Sequence, residues 1–264
     1  MKTPTPAHIS KCPSRGRRAG FTLIELLVSM AITSVLMLAL LSLVGTFTEN
    51  YTNTQRSLNS ISQARSFLQF FDSELSTRLP NTPLIHEEDE DGSPSSSDKF
   101  AFIRALTDDE QATFGNLTTP DLGDLGTSLY YVEYSDDPLF APCYNLYRRD
   151  LGPEETQQLI EDSLTTPDPA FPASTPSEGE PIIPYVLRFR ASPKYRDPAD
   201  GELKDWEATD TEPPSVIELE ITFVDESAAQ RYKTQTEWDR LATSPRDNEL
   251  RFIRTFTRSI AIAK

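Results

Sequence analysis

Cysteine, histidine and glycine are scarce in this chain, and each scarcity removes a class of chemistry. Two cysteines, Cys12 and Cys143, and two histidines, His8 and His86, leave no Cys/His cluster with the spacing of a metal site. The ten glycines form no phosphate-cradling loop, and no Gly-x-Ser-x-Gly elbow presents a nucleophile. Acids are plentiful at 41, so closeness in sequence says nothing about a general acid and base. No enzyme is expected. Basic residues number 25, for a net charge of −16. That balance disfavours nucleic acid and anionic lipid heads, so no nucleic-acid partner is expected. No internal repeat is present.

What the chain does have is a long apolar run. Residues 26–48 are 23 positions without a charge, rich in Leu, Val and Met, long enough to cross a hydrocarbon core as a helix. A cleaved secretory signal has a shorter apolar region and does not tolerate an acid near its front. Residues 1–20 carry Lys2, Lys11, Arg15, Arg17 and Arg18 and no acid. The positive-inside rule therefore keeps this end in the cytoplasm and exports the rest.

The stretch GFTLIELLV, residues 20–28, sets Glu25 at the mouth of that run. An acid in lipid is costly and calls for a named partner. No Lys or Arg follows until Arg56. A cut after Gly20 supplies a positive group, because the amide nitrogen of Phe21 becomes an ammonium about one helical turn from Glu25. Pairing Glu25 with that amine, on its own chain or a neighbour's, neutralises two groups that lipid disfavours singly.

The segment Arg17-Arg18-Ala19-Gly20-Phe21-Thr22-Leu23-Ile24-Glu25-Leu26-Leu27-Val28 resembles the class III signal of type IV pilins and type II secretion pseudopilins. The resemblance implies cleavage between Gly20 and Phe21 by a prepilin peptidase in the bacterial inner membrane. It also implies N-methylation of Phe21 by the same enzyme, and a role for Glu25 in assembly with other pilin-like subunits. Loss of the leader would take the charge to about −21. It would also leave Cys143 as the lone cysteine, expected as a half-buried strand residue outside any intramolecular disulfide.

Beyond the span the helix is expected to continue, with Gly45 as the point where it can bend. Leu58, Ile61, Ala64, Leu68, Phe71, Leu75 and Leu79 recur at steps of three and four, while Arg56, Arg65, Asp72, Glu74 and Arg78 fall on other faces. Pro80 and Pro83 end it. Strands are expected at 99–106, 129–134, 144–149, 185–190 and 217–223, the last two with strict alternation. If those two are antiparallel neighbours, Arg188 and Arg190 face Glu218 and Glu220. Short helices are expected at 154–164 and 228–241, and residues 251–263 suit a strand or a short helix. Six prolines in 167–184 mark an exposed loop without regular pairing. The fold class is α+β and pilin-like: a long N-terminal helix, membrane-spanning then amphipathic, packed on an antiparallel β-sheet. The divisions are a leader at 1–20, a spanning half at 21–47, an amphipathic half at 48–80 and an exported β-rich domain at 81–264.

Residues 127–224 carry a second resemblance. Tyr130-Tyr131-Val132-Glu133-Tyr134, Asn145-Leu146-Tyr147-Arg148-Arg149, Leu187-Arg188-Phe189-Arg190, Trp206 and Pro213-Pro214-Ser215-Val216-Ile217-Glu218-Leu219 are similar in order to the J-type minor pseudopilin of type II secretion. The acidic and proline-rich insertions depart from it. The layout also looks like the pilin-like C protein of the Verru_Chthon gene cassettes. K-type minor pseudopilins usually lack the acid found here at Glu25, which argues against that subtype.

One constellation offers a metal. Glu87, Asp89, Asp91, Gly92 and Asp98 stand at positions 1, 3, 5, 6 and 12 of a twelve-residue loop, near the spacing of a calcium-binding EF-hand. Glu in first place, Asp in last place and Pro94 all depart from that pattern, so a solvated acidic loop is the favoured expectation and Ca2+ the alternative. His86 beside it is expected to be exposed, and Trp206 and Trp238 to be core or loop anchors. Together these features lead to a structural minor pilin or pseudopilin, processed by prepilin peptidase and built into the pilus-like filament of a secretion system. The alternative is a surface minor pilin acting in adhesion or DNA uptake.

Overall fold

The computed structural model describes residues 22–88, 94, 97–114, 124–136, 142–165, 170–172, 178–207 and 213–262. The chain divides into two compact units, Met1–Thr52 and Asn53–Lys264, and the division falls inside one helix, α1 (Leu23–Leu75).

In the first unit every described residue up to Tyr51 is exposed, and this part of α1 is long and apolar enough to cross a membrane. Several of its hydroxyls bond back within the helix. Thr33 Oγ1 donates to Ser29 O at 2.7 Å, Ser34 Oγ to Met30 O at 2.8 Å, and Thr46 Oγ1 to Ser42 O at 3.0 Å. Such back-bonding hides polar atoms that lipid cannot solvate. Helical structure passes through Gly45 without a break.

In the second unit α1 buries Ala64, Phe67, Leu68, Phe71 and Leu75, a stripe shorter than the expected one, since Leu58 is 60% exposed. The helix ends at Leu75 rather than near Leu79. Its last turn tightens through Thr77 N to Glu74 O at 2.9 Å, after which Leu79 N donates to Ile103 O at 3.1 Å. The chain thus leaves the helix to begin pairing with a strand before the prolines are reached.

The remaining elements are β1 (Leu84–Glu87), β2 (Lys99–Ala105), α2 (Asp108–Thr113), β3 (Leu125–Ser135), β4 (Cys143–Leu151), α3 (Pro153–Thr165), β5 (Glu180–Pro184), β6 (Val186–Arg196), β7 (Leu203–Asp205), β8 (Val216–Val224), α4 (Glu226–Ala229), α5 (Gln235–Thr243), α6 (Asp247–Leu250) and β9 (Ile253–Ala261). They form two antiparallel sheets, ordered β1-β2-β3-β4-β5 and β7-β6-β8-β9, where the sequence pointed to one.

The five-stranded sheet is buried on both faces. Phe100, Phe102, Tyr130, Tyr144 and Leu146 join Phe67 and Phe71 of α1 in the main core, which the four-stranded sheet completes with Phe189, Leu219 and Ile221. The alternate residues Ala101, Leu129, Tyr131, Tyr147 and Leu151 meet Leu159 of α3 and Phe171 on the opposite face. Burial on both faces explains why the middle of β3, residues 129–132, is an unbroken apolar run.

Three expectations are corrected here. Residues 180–184, read as unpaired loop, form β5, and Phe171 is buried. β5 lies at a sheet edge with a register shift near Leu146/Tyr147, and an edge strand tolerates the prolines that an inner strand does not. The single helix at 228–241 is two, α4 and α5, the second starting at a capping box in which Thr234 Oγ1 accepts from Glu237 N. β6 and β8 are antiparallel neighbours, but the register sets Arg190 opposite Glu220 and Arg188 opposite Thr222. Glu218 pairs instead with Lys194 at 3.1 Å.

Between β5 and β6 the chain changes sheets at Tyr185, whose φ of 64° lies in the left-handed region. Its ring stacks on Trp238 at 6.4 Å. Trp238 is fully buried and donates from Nε1 to Pro142 O at 3.1 Å, an anchor as expected. Cys143 is buried and its Sγ donates to Asn145 Oδ1 at 3.2 Å. Burial pushes its thiol pKa up, which suits a packed thiol rather than a nucleophile.

Candidate functional site

Glu25 occupies the first turn of α1. Its Oε2 accepts from Thr22 N and from Thr22 Oγ1, both at 3.0 Å, while Thr22 Oγ1 accepts from Glu25 N at 3.3 Å. These reciprocal bonds are a capping box with Thr22 as the cap and Glu25 at the third helical position. The signal lies in plain spacing, Thr-Leu-Ile-Glu, but attention to Glu25 as a charge passes over its use as a cap. Both contacts fall on Oε2, and among the described residues Oε1 takes none. Gly20 and Phe21 lie outside the described residues.

The helix that starts here runs uncharged for six turns and more, with one carboxylate at its mouth. Residues 15–41 match the prokaryotic N-terminal methylation motif. The chain therefore carries a class III prepilin signal, and its α+β architecture, with a long apolar helix whose later part packs on antiparallel sheets, is pilin-like. A signal of this kind implies processing by a prepilin peptidase and assembly with other pilin subunits. The motif and the apolar helix together support a membrane-anchored, pilin-like or pseudopilin subunit. No curated protein matches the chain.

The acidic loop lies partly outside the described residues. Asp89 and Asp91 lie outside the described residues, but Glu87 and Asp98 are held by protein partners. Glu87 receives Lys99 Nζ at 2.7 Å and Phe171 N at 3.0 Å. Asp98 is fully buried, accepts Ala191 N at 2.9 Å and sits 3.1 Å from His86 Nε2. His86 is therefore half-buried on β1, contrary to the expectation of exposure, because Asp98 draws it against the sheet. Among the described residues no group of three or more His, Cys, Asp or Glu side chains is placed to hold a metal ion.

The strongest polar cluster is one that sequence reasoning places on the wrong face. Glu74 is buried at the end of α1. It accepts from Tyr130 OH, from Ser128 Oγ at 3.0 Å and from Arg148 Nε at 3.0 Å, and lies 3.2 Å from Arg104 Nε. Arg104 also binds Glu110 at 2.7 and 3.0 Å, and Arg148 binds Asp150 at 2.7 Å. Burial disfavours the Arg104 cation, but hydrogen bonding to Glu110 and the charges of Glu74 and Asp150 outweigh it and hold its pKa above the ordinary arginine value. Arg104 in turn holds the Glu110 carboxyl down to about 2. Every member has a partner, so this network acts as a staple from α1 to β2, β3 and β4 rather than as a reactive site.

Proposed function

We propose that the protein is a minor pseudopilin, J-type-like, of a type II secretion system or a closely related assembly. In this reading the inner-membrane precursor has its N-terminus in the cytoplasm and its second unit in the periplasm. Prepilin peptidase cuts between Gly20 and Phe21 and methylates the new Phe21 nitrogen, and the product enters a pilus-like filament. The observation that carries the reading is the methylation motif running directly into an uncharged helix whose first turn holds Glu25.

In the precursor the Phe21 nitrogen is a neutral amide, and Glu25 caps Thr22. Cleavage creates an ammonium one residue from that cap. A carboxylate already turned toward the chain end, with Oε1 free of the cap, supplies the counter-charge to the amine of its own or a neighbouring subunit, and lipid strengthens that attraction. Two substitutions separate the roles. Glu25→Gln still accepts a hydrogen bond from Thr22 but carries no charge, and Glu25→Ala does neither. Both are expected to insert and to be processed, and both to be depleted from filaments recovered with a tagged major subunit. Normal recovery of Glu25→Gln would show that the cap, not the charge, is what assembly needs.

A further inference from the structure

Four strands stand at the edges of the two sheets, and three of them are guarded. β1 is four residues long and β7 three, while β5 carries Pro181 and Pro184 beside a register shift. Short length, proline and irregularity are the devices that keep a free edge from accepting another strand. β9 has none of them. Its nine residues, IRTFTRSIA, contain no proline or glycine. They pair with β8 in unbroken register from Ile253 opposite Val224 to Ala261 opposite Val216, and among the described residues no strand lies along the other side.

The direction of its free groups follows from the bonds at its two ends. Asp225 N donates to Phe252 O and Ile262 N to Ser215 O, both at 2.9 Å. Even-numbered positions therefore face β8, and the antiparallel alternation turns the N–H and C=O groups of Ile253, Thr255, Thr257, Ser259 and Ala261 outward. The last four of these residues are exposed.

We propose that β9 is the docking edge for a second copy of this chain, joined antiparallel about a two-fold axis at Thr257 so that two four-stranded sheets become one. That register pairs Thr257 with Thr257, Thr255 with Ser259 and Ile253 with Ala261, through about ten main-chain hydrogen bonds. Between them Arg258 faces Phe256 and Arg254 faces Ile260. No arginine meets an arginine, and Arg258 meets an aromatic ring, a favourable neighbour for a cation. An axis at Phe256 instead sets Arg254 on Arg258, and like charges directly opposite are destabilising.

On their own chain Arg254 lies 3.6 Å from Asp225 and Arg258 is paired with Asp72. The edge is thus close to neutral in a chain of net charge −16. Anchoring in one membrane raises the local concentration of copies. The two-fold pair consumes both β9 edges and closes, so it does not polymerise and is separate from the contacts proposed for Glu25.

The test is the association state of the full chain in neutral detergent, by sedimentation over a concentration series. A monomer–dimer equilibrium is expected, strengthened by salt because the net charges of the two copies repel. Thr257→Pro removes an outward N–H and no bond to β8, and is expected to raise the dimer Kd about tenfold or more. Thr257→Val keeps the N–H and the dimer. Cooperative thermal unfolding of Thr257→Pro checks that the fold survives.

In a Cys12→Ser, Cys143→Ser background, Thr257→Cys is expected to oxidise to a dimer in membranes, since directly opposed Cα atoms about 5.5 Å apart lie within disulfide reach. Ser259→Cys, about 13 Å from its copy, is not. The proposal is overturned by a wild-type chain that stays monomeric, by Thr257→Pro dimerising like wild type, by equal cross-linking at 257 and 259, or by Thr257→Cys joining only a different polypeptide.

Discussion

Replacing Glu74 by leucine tests whether the buried charge cluster staples α1 to the five-stranded sheet. The substitution removes the acceptor for Tyr130 OH, for Ser128 and for two arginines. The arginines are not orphaned: Arg104 keeps Glu110 and Asp150, and Arg148 keeps Asp150. Ser128 keeps Asp150 at 2.9 Å. The loss is therefore smaller than for an isolated buried pair. An unsatisfied Tyr130 hydroxyl at a fully buried position costs about 1–2 kcal/mol, and the weakened pairing of Arg148 a similar amount, for about 3 kcal/mol in all. In a domain of this size that lowers the melting temperature by about 6–12 °C.

Urea unfolding of the detergent-solubilised full chain, followed by near-ultraviolet circular dichroism, reads the change. Tyr130→Phe in the Glu74→Leu background removes the orphan hydroxyl, so the double variant is expected to be less destabilised than the two single losses sum to, by about 1 kcal/mol. A Glu74→Leu chain within about 1 kcal/mol of wild type, or strict additivity with Tyr130→Phe, refutes the staple.

Glu249 receives Arg240 at 2.7 and 3.0 Å and Arg246 N at 2.7 Å, and its carboxyl is held from 4.5 down to about 2, chiefly by Arg240. A depressed acid contributes stability that is present above its ordinary value and lost as pH falls toward the folded one. Acid titration of wild type should therefore show a loss between pH 4.5 and about 2 that is blunted in Glu249→Gln, itself less stable at neutral pH; equal slopes in the two proteins contradict the pairing. Trp238→Ala empties a fully buried site against Tyr185 and Tyr232. It is expected to cost about 3–5 kcal/mol in urea unfolding, and a change under about 1 kcal/mol would mean that α5 is not part of the core.

Much of this structure is legible in the residues, for reasons that also mark where legibility ends. The span, the first-turn acid and the long helix are one-dimensional signals, carried by hydropathy and spacing along a single segment. β8 and β6 declare themselves by alternation because each has one buried face. Glu74 does not, because helical spacing puts it beside the apolar stripe, and only the arrival of Arg104 and Arg148 from two distant strands makes burial tolerable. β5 is hidden by its prolines, which only an edge position permits. His86 is hidden by the acidic run that follows it, since its partner Asp98 lies twelve positions away. The division into two sheets depends on the turn at Tyr185, a left-handed residue of a type that rarely takes that conformation.

The claim on which the function rests is that the mature chain begins at a charged, methylated Phe21 facing Glu25. Intact-mass and N-terminal peptide mass spectrometry of the protein taken from its native membranes tests it directly. The expected first residue is N-methylated Phe21, with residues 1–20 absent. A chain still bearing those residues in a host with active prepilin peptidase contradicts the account.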